Sequence, residues 1–76
     1  MGHILNEKLV RKVAYELRAI RKSRGLTQET VCNDTGIHAG RVEMGKLNIT
    51  ISTLSRLCDY YGVSLQDFFK ELGDVH

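Results

Sequence analysis

The spacing of helix-capping and helix-terminating residues is the feature of this 76-residue sequence that most restricts its fold. Asn6, Thr27, Thr50 and Ser64 have side chains that cap helix N-termini, and each is followed by apolar residues at helical spacing. Glycines follow these stretches, and glycine commonly terminates a helix. The chain contains no proline. The pattern predicts an all-α domain of five short helices, spanning residues 1–76 with its core at about 6–72.

The first predicted helix carries most of the positive charge. It extends from Asn6 to a stop at Gly25 and has one apolar stripe. Residues 1–26 contain seven Lys or Arg and two Glu, whereas residues 27–76 contain four Lys or Arg and seven acidic residues. This asymmetry is compatible with a polyanionic partner and equally with a solvated helix face.

Residues 27–48 predict two short helices joined by a tight turn. Thr27 caps the first, and Asn33 to Gly36 are turn-forming residues. The second runs through residues 37–43 and contains Gly40, which costs up to ~1 kcal/mol relative to Ala. Tertiary packing must therefore hold this helix in place.

The last two predicted helices close the core. The fourth runs from Thr50 to Gly62, and the fifth from Ser64 to Gly73, with a frayed tail at residues 74–76. The fourth helix has an apolar seam with the spacing of a buried face, formed by Ile51, Leu54, Leu57, Cys58 and Tyr61.

Composition excludes several classes of protein. Cys32 and Cys58 are expected to be reduced core residues, because they lack the spacing of a zinc site. His3, His38 and His76 are too scattered for a metal or catalytic group, and no nucleophile or phosphate-loop motif occurs. We expect no enzyme activity and no cofactor. No apolar run reaches the ~20 residues of a membrane span and no signal peptide is recognisable, so a cytoplasmic protein without membrane contact is expected.

Four motifs occur in order within residues 9–70. They are Leu17-x-x-Ile20-Arg21-x-x-Arg24-Gly25-Leu26-Thr27-Gln28-Glu29, Val42-Glu43-x-Gly45-Lys46-x-Asn48, Thr53-Leu54-x-x-Leu57 and Tyr61-Gly62-Val63-Ser64-Leu65-x-x-Phe68-Phe69. This order resembles the lambda-repressor/Cro-like helix-turn-helix family, also called the XRE family. The resemblance implies a compact five-helix DNA-binding domain of a transcriptional regulator. The small size also resembles restriction–modification controller proteins and mobile-element repressors of that family.

The motif departs from the family in one interval. Thr27 precedes Glu43 by about three residues fewer than is usual, so the register of the recognition helix has two solutions. If Gly36 is the turn glycine, the recognition helix begins near His38 and is trimmed at its end. If Val42-Glu43 keeps its register, the second helix is shortened and the recognition helix begins near Thr35.

Each register places different side chains toward DNA. The first presents His38, Ala39 and Arg41; the second presents His38 and Arg41 together with Gly36 and Ile37. Arg41 is the best base-reading candidate, because Arg bonds both guanine acceptors in the major groove. The alternatives for Arg41 are a phosphate contact or an ion pair with Glu43 or Asp34. His38 can donate to a base or a phosphate, or simply be solvated.

The resemblance implies further contacts to the DNA backbone. A Gln at position 28 meets a phosphate and braces the recognition helix, and Lys46 and Asn48 contact phosphate from the following loop. Thr27 either meets a phosphate or acts only as a helix cap. The resemblance makes Glu43 structural, with Arg18 or Arg21 as its partner.

The expected partners are double-stranded DNA with a palindromic operator and a second copy of the chain; no small-molecule ligand is expected. Two-fold dimers of this motif bind half-sites ~34 Å apart. Two adjacent Phe residues cannot both enter one small core, which indicates a partner surface on the fifth helix. The predicted dimer surface comprises Tyr60, Leu65, Phe68, Phe69 and Leu72.

Two questions stay open at this stage. Repression by promoter occlusion is common in the family, but activation through polymerase contact fits the same residues. A protein-interaction module with reduced DNA binding, such as an antitoxin-like protein or a scaffold, is the competing function. Clustering of Lys22, Arg24, Arg41 and Lys46 on one face would favour DNA, and their dispersal would favour the module.

Overall fold

Five α-helices follow one another through residues 6–73, the part of the chain that this computed structural model describes. They are α1 (Glu7–Ser23), α2 (Gln28–Thr35), α3 (Ala39–Glu43), α4 (Ile51–Tyr61) and α5 (Leu65–Leu72). The predicted all-α architecture is confirmed, and no strand occurs within this range. The predicted frayed tail at 74–76 lies outside the described residues.

Side-chain caps begin four of the helices, as predicted. The side-chain oxygens of Asn6, Thr27, Thr50 and Ser64 each accept a hydrogen bond of 3.0 Å from the backbone N–H three residues later. The third helix differs, because it begins two residues later than predicted and its N-cap, His38, makes no side-chain capping bond. With five residues and no such cap, α3 depends on its neighbours for stability.

The core lies where α1 packs against α3 and α5 and where α2 packs against α3 and α4. The largest fully buried side chains come from four different helices: Leu17, Val31, Leu57, Cys58 and Phe68. Every helix except the short α3 thus places at least one large side chain at the centre. The two α3 residues in the core, Ala39 and Val42, are slightly more exposed and pack within the same cluster.

Two predictions of burial are wrong. Ile51 was assigned to the buried seam of α4 but is 77% exposed. It is the first residue of α4, and the seam reaches the core only from Leu54 onward. Cys58 is buried as predicted, whereas Cys32 is only half-buried; both thiols are free.

The helix α4 fixes the end of α2. Arg56 donates from Nη2 to the carbonyl oxygen of Thr35 at 2.7 Å, and the hydroxyl of Tyr60 donates to the carboxylate of Asp34. Gly36 then takes the left-handed conformation with φ of 77° and ends α2. These contacts set the direction in which the chain enters α3.

Candidate nucleic-acid interface

The turn between α2 and α3 settles the register that the sequence left open. The helix α2 ends at Thr35, Gly36 caps it, and α3 begins at Ala39 after the N-cap His38. The recognition helix therefore begins near His38 and is short at its far end. The alternative start near Thr35 is wrong.

Arg21 joins α1 to α3 and to the loop before α2. Its guanidinium donates from Nε and Nη2 to the two carboxylate oxygens of Glu43 at 2.8 and 3.0 Å, and from Nη1 to the carbonyl oxygen of Leu26 at 2.7 Å. The side chains of both partners are buried. Of the two predicted partners of Glu43, the structure selects Arg21. The end of α1, the loop before α2 and the end of α3 are thereby fixed to one cation.

The surroundings of Arg21 and Tyr61 fix the ionisation state of each side chain. The hydrogen bond to Glu43 raises the pKa of Arg21, which therefore stays charged. Nearby Tyr61 stays neutral, because burial and the negative charge of Glu43 raise its pKa to about 12. The site is a fixed ion pair with a neutral aromatic neighbour, so it acts as a structural brace.

Gln28 links the start of α2 to this brace. Its Nε2 donates to Oε1 of Glu43 at 3.0 Å, and its Oε1 lies 3.1 Å from the position that a Cβ on Gly40 would occupy. Gly40 thus leaves room for the side chain of Gln28. The predicted bracing role of Gln28 fits this contact, and the residue remains exposed at the surface.

Two exposed side chains project from α3 and its N-cap. His38 is exposed, with its Nδ1 3.7 Å from the Sγ of Cys32. Arg41 is also exposed, and within residues 6–73 its guanidinium makes no ion pair. The alternative in which Arg41 pairs with Glu43 is excluded, because Glu43 is occupied by Arg21 and Gln28. Arg41 is therefore available for an anionic or hydrogen-bonding partner.

Two residues predicted to contact DNA have structural roles in the fold. Ala39 is 2% exposed and belongs to the core, so its methyl group cannot reach DNA, and that prediction is wrong. The hydroxyl of Thr27 accepts from the backbone N–H of Thr30 and donates to its hydroxyl at 2.9 Å. Thr27 acts as the helix cap that the sequence offered as its alternative.

The loop after α3 brings together basic residues that the sequence separates. Lys46 and Asn48 are both exposed, as a phosphate contact requires. Arg11 of α1 lines the same surface depression as Lys46, and its Cγ lies 3.4 Å from the Cβ position built on Gly45. Arg11 was not among the predicted site residues, because its proximity arises only from the packing of α1 on the loop. Its place outside the apolar stripe of α1 was the one available signal.

Of the four basic residues whose clustering was to discriminate between functions, Arg24 is occupied elsewhere. Its Nε donates to the carbonyl oxygen of Tyr61 at 3.0 Å, at the end of α4. Lys22 lines a depression with Tyr15 and Arg18 on α1. The expected clustering of these four residues is therefore not seen in the described contacts, because Lys22 and Lys46 line different depressions and Arg24 bonds to the end of α4.

The predicted dimer surface is largely buried. Phe68 is fully buried and Leu72 is a core residue, so neither is available to a partner. Leu65 packs against the core, and Tyr60 is half-buried with its hydroxyl bonded to Asp34. Of the five residues, only Phe69 is well exposed, at 47%. As expected, the two adjacent Phe rings do not both enter the core: Phe68 is inside and Phe69 is outside.

Two short helices, α2 and α3, are joined by a glycine turn, and α3 is held by the Arg21–Glu43 pair and exposes Arg41. This arrangement is typical of a helix-turn-helix DNA-binding domain. A family model described as helix-turn-helix matches residues 17–68. The chain belongs to this family, in its lambda-repressor-like or XRE branch, whose members are DNA-binding transcription regulators. Comparisons with curated proteins and with solved structures found no match.

Within residues 6–73 no helix has the length and apolar character needed to cross a bilayer. Over the same range, no group of three or more His, Cys, Asp or Glu side chains is arranged to hold a metal ion.

Proposed function

We propose that this chain is a dimeric transcription repressor that binds a palindromic operator in double-stranded DNA. Arg41 and His38 read base edges in the major groove, while Gln28, Lys46, Asn48 and Arg11 contact phosphates. The exposed guanidinium of Arg41, on a helix held from inside by Arg21 and Glu43, is the observation that carries this proposal.

The division of labour follows from charge and hydrogen bonding. Phosphate contacts position a protein on the duplex, and base-edge contacts specify the sequence. Arg41 is the long basic side chain of α3, and Arg donates to both O6 and N7 of guanine. The one acid near the C-terminal end of α3, Glu43, would repel DNA if it were free. Its burial against Arg21 removes this obstacle.

The operator is expected to be two-fold symmetric. A recognition helix of five residues reads few base pairs, so sequence specificity requires a second copy. Dimers of this motif place their helices about one turn of DNA apart, ~34 Å. Occupancy of such a site within a promoter excludes polymerase, which gives repression.

Selection of bound sequences from random DNA tests the proposal. The wild-type chain is expected to enrich a palindrome, and Arg41→Ala is expected to relax one base pair of each half-site, at a cost of ~1–3 kcal/mol. The matched control is Lys70→Ala, which removes an exposed basic residue of α5 and should leave the motif unchanged. Weak, salt-sensitive binding without enrichment would contradict the proposal and favour a protein-interaction module.

A further inference from the structure

Two cations and an exposed tyrosine lie together on the outer side of α1. Tyr15 is 71% exposed, and Arg18 and Lys22 are exposed about one and two helical turns further along the helix. Ala19, which is also exposed, lies between the two cations in the sequence. These four residues line a depression of about 220 Å³ in the surface, which we call the Tyr15 depression.

Neither cation of the Tyr15 depression has an acidic neighbour on the helix. No acidic residue stands three or four positions before or after Arg18 or Lys22. Among the described residues, none that lines the depression is acidic, and neither cation forms an ion pair. Like charges four residues apart on a helix repel each other and lower its stability. The pair therefore costs stability in the free domain, and an anion bound between the two cations would remove the repulsion.

The ring of Tyr15 adds an aromatic surface beside these charges. Long side chains on a helix lean towards its N-terminus, so the ring of Tyr15 leaves the following turn open. That turn carries Ala19, whose methyl group takes little space. A flat aromatic group can therefore lie over Ala19 with one face against the ring of Tyr15. In that position the group is within reach of both cations.

We propose that the Tyr15 depression binds single-stranded nucleic acid, with one base stacked on Tyr15 and its flanking phosphates at Arg18 and Lys22. Proteins that bind single strands combine cations along the backbone with aromatic side chains on which bases stack. The bases of a duplex are stacked on one another, so a duplex would use only the cations. An acidic peptide would likewise leave the ring of Tyr15 unused.

The Tyr15 depression is separate from the surface proposed to read the operator. No residue of α2, of α3 or of the loop after α3 lines it. Arg11, which is proposed to contact a phosphate of the duplex, lines a different depression with Lys46. The inference therefore goes beyond the proposed function and does not depend on it. With both sites, one chain binds duplex DNA through α3 and a single strand through α1.

Fluorescence anisotropy of a labelled oligothymidylate of about 12 nucleotides, titrated with the full chain, tests the stacking contact. Tyr15→Leu keeps an apolar side chain that favours the helix but removes the ring, and it should weaken binding about fivefold or more. The matched control is Tyr15→Phe, which keeps the ring and should bind like the wild type. Circular dichroism checks the fold of each variant.

The salt dependence of the same titration tests the two phosphate contacts. Arg18→Ala and Lys22→Ala should each reduce the slope of log K against log salt by about 0.7, the value for one phosphate of a single strand. The control is Lys70→Ala, which removes an exposed cation of α5 and should leave the slope unchanged. Slopes for Arg18→Ala and Lys22→Ala equal to that of the wild type would overturn the inference.

Competition experiments distinguish a nucleic-acid strand from other anions. A wild-type chain that does not bind the oligonucleotide, or a Tyr15→Leu variant that binds it as tightly as the wild type, overturns the inference. Polyglutamate that competes as well as the unlabelled oligonucleotide also overturns it, in favour of an acidic protein partner. Thymidine monophosphate that competes equally well overturns it in favour of a mononucleotide site.

Binding of the selected operator duplex separates this inference from the proposed function. Tyr15→Leu should bind the operator like the wild type, and Arg41→Ala should bind the oligonucleotide like the wild type. A wild-type chain that selects no operator but binds the oligonucleotide through Tyr15 contradicts the proposed function alone. Loss of operator binding in Tyr15→Leu, with the fold intact, would overturn the inference of a separate site.

Discussion

Arg21 is a cation enclosed by protein, and three strong hydrogen bonds compensate its loss of water. Two go to Glu43 and one to the carbonyl oxygen of Leu26. Such a pair contributes little net stability compared with well-packed apolar residues, but either partner alone is an uncompensated buried charge. Its value lies in geometry, because a bidentate pair fixes both distance and orientation.

Removal of one partner of this pair should be far more costly than removal of both. Glu43→Ala is expected to destabilise the domain by ~3–5 kcal/mol, because Arg21 stays buried without its counter-ion. The double variant Arg21→Met with Glu43→Leu should recover most of that loss. Urea unfolding followed by circular dichroism measures each free energy.

The control for this series is Arg18→Ala, which removes an exposed basic residue of the same helix. It should change stability by less than about 0.5 kcal/mol. A Glu43→Ala variant that is as stable as Arg18→Ala would show that the ion pair is not a brace.

Of the five helices, α3 has the fewest local features that would stabilise it. It has five residues, a glycine at its second position and no side-chain cap. Isolated helices of this length do not persist in water. It is held by Val42 and Ala39 in the core and by Glu43 on Arg21. Its stability is therefore tertiary.

The two glycines around this element should respond oppositely to alanine. Gly36→Ala forces a Cβ into a left-handed conformation with φ of 77°, at a cost of ~1–2 kcal/mol, although the space around it is open. Gly40→Ala improves helix propensity by up to ~1 kcal/mol, and its Cβ meets only the end of the Gln28 side chain, which can move. We expect Gly40→Ala to be at least as stable as the wild type.

Thermal and urea unfolding of both variants, measured in parallel, checks this difference. Loss of the contact between Gln28 and Glu43 should accompany Gly40→Ala and be visible in the side-chain amide resonances of Gln28. Equal destabilisation by both substitutions would mean that Gln28 cannot move aside.

Sequence reasoning succeeded where structure depends on neighbours along the chain. The caps at Asn6 and Thr50 bond to the backbone three residues away, so a short segment of sequence was sufficient to predict them. It failed where burial depends on another helix. The periodicity of α4 could not show that its first residue, Ile51, extends beyond the core, and the approach of Arg11 to the loop required the packing of α1. Ala39 was placed toward DNA by the register that the structure selects, but its burial in the core depends on how α3 packs against other helices.

The basic residues of the domain divide into those exposed at the surface and those bonded within the fold. Arg11 and Lys46 line one depression together with Glu7, Arg41 is exposed on α3, and Arg24 bonds to the end of α4. The net charge of +2 is too small to explain DNA binding by itself. Affinity must therefore come from local phosphate contacts, each of which displaces counter-ions from DNA.

The slope of DNA affinity against salt concentration should report the number of these phosphate contacts. Lys46→Ala and Arg11→Ala are each expected to weaken binding to all sequences and to reduce the slope of log K against log salt by about 1. Lys70→Ala on α5 should leave the slope unchanged. Fluorescence anisotropy with a labelled duplex at several salt concentrations gives the slopes. An Arg11→Ala slope equal to that of the wild type would remove Arg11 from the interface.

The brace behind α3 separates the part of the helix that folds from the part that is exposed. Ala39, Val42 and Glu43 face inward, whereas Arg41 and the N-cap His38 are exposed. The residues at positions 38 and 41 can therefore be substituted, by natural selection or by protein engineering, without a change to the core of the domain. Under the proposed assignment of His38 and Arg41 to base edges, one scaffold can diverge into regulators of different promoters, each change of target requiring only one or two codons.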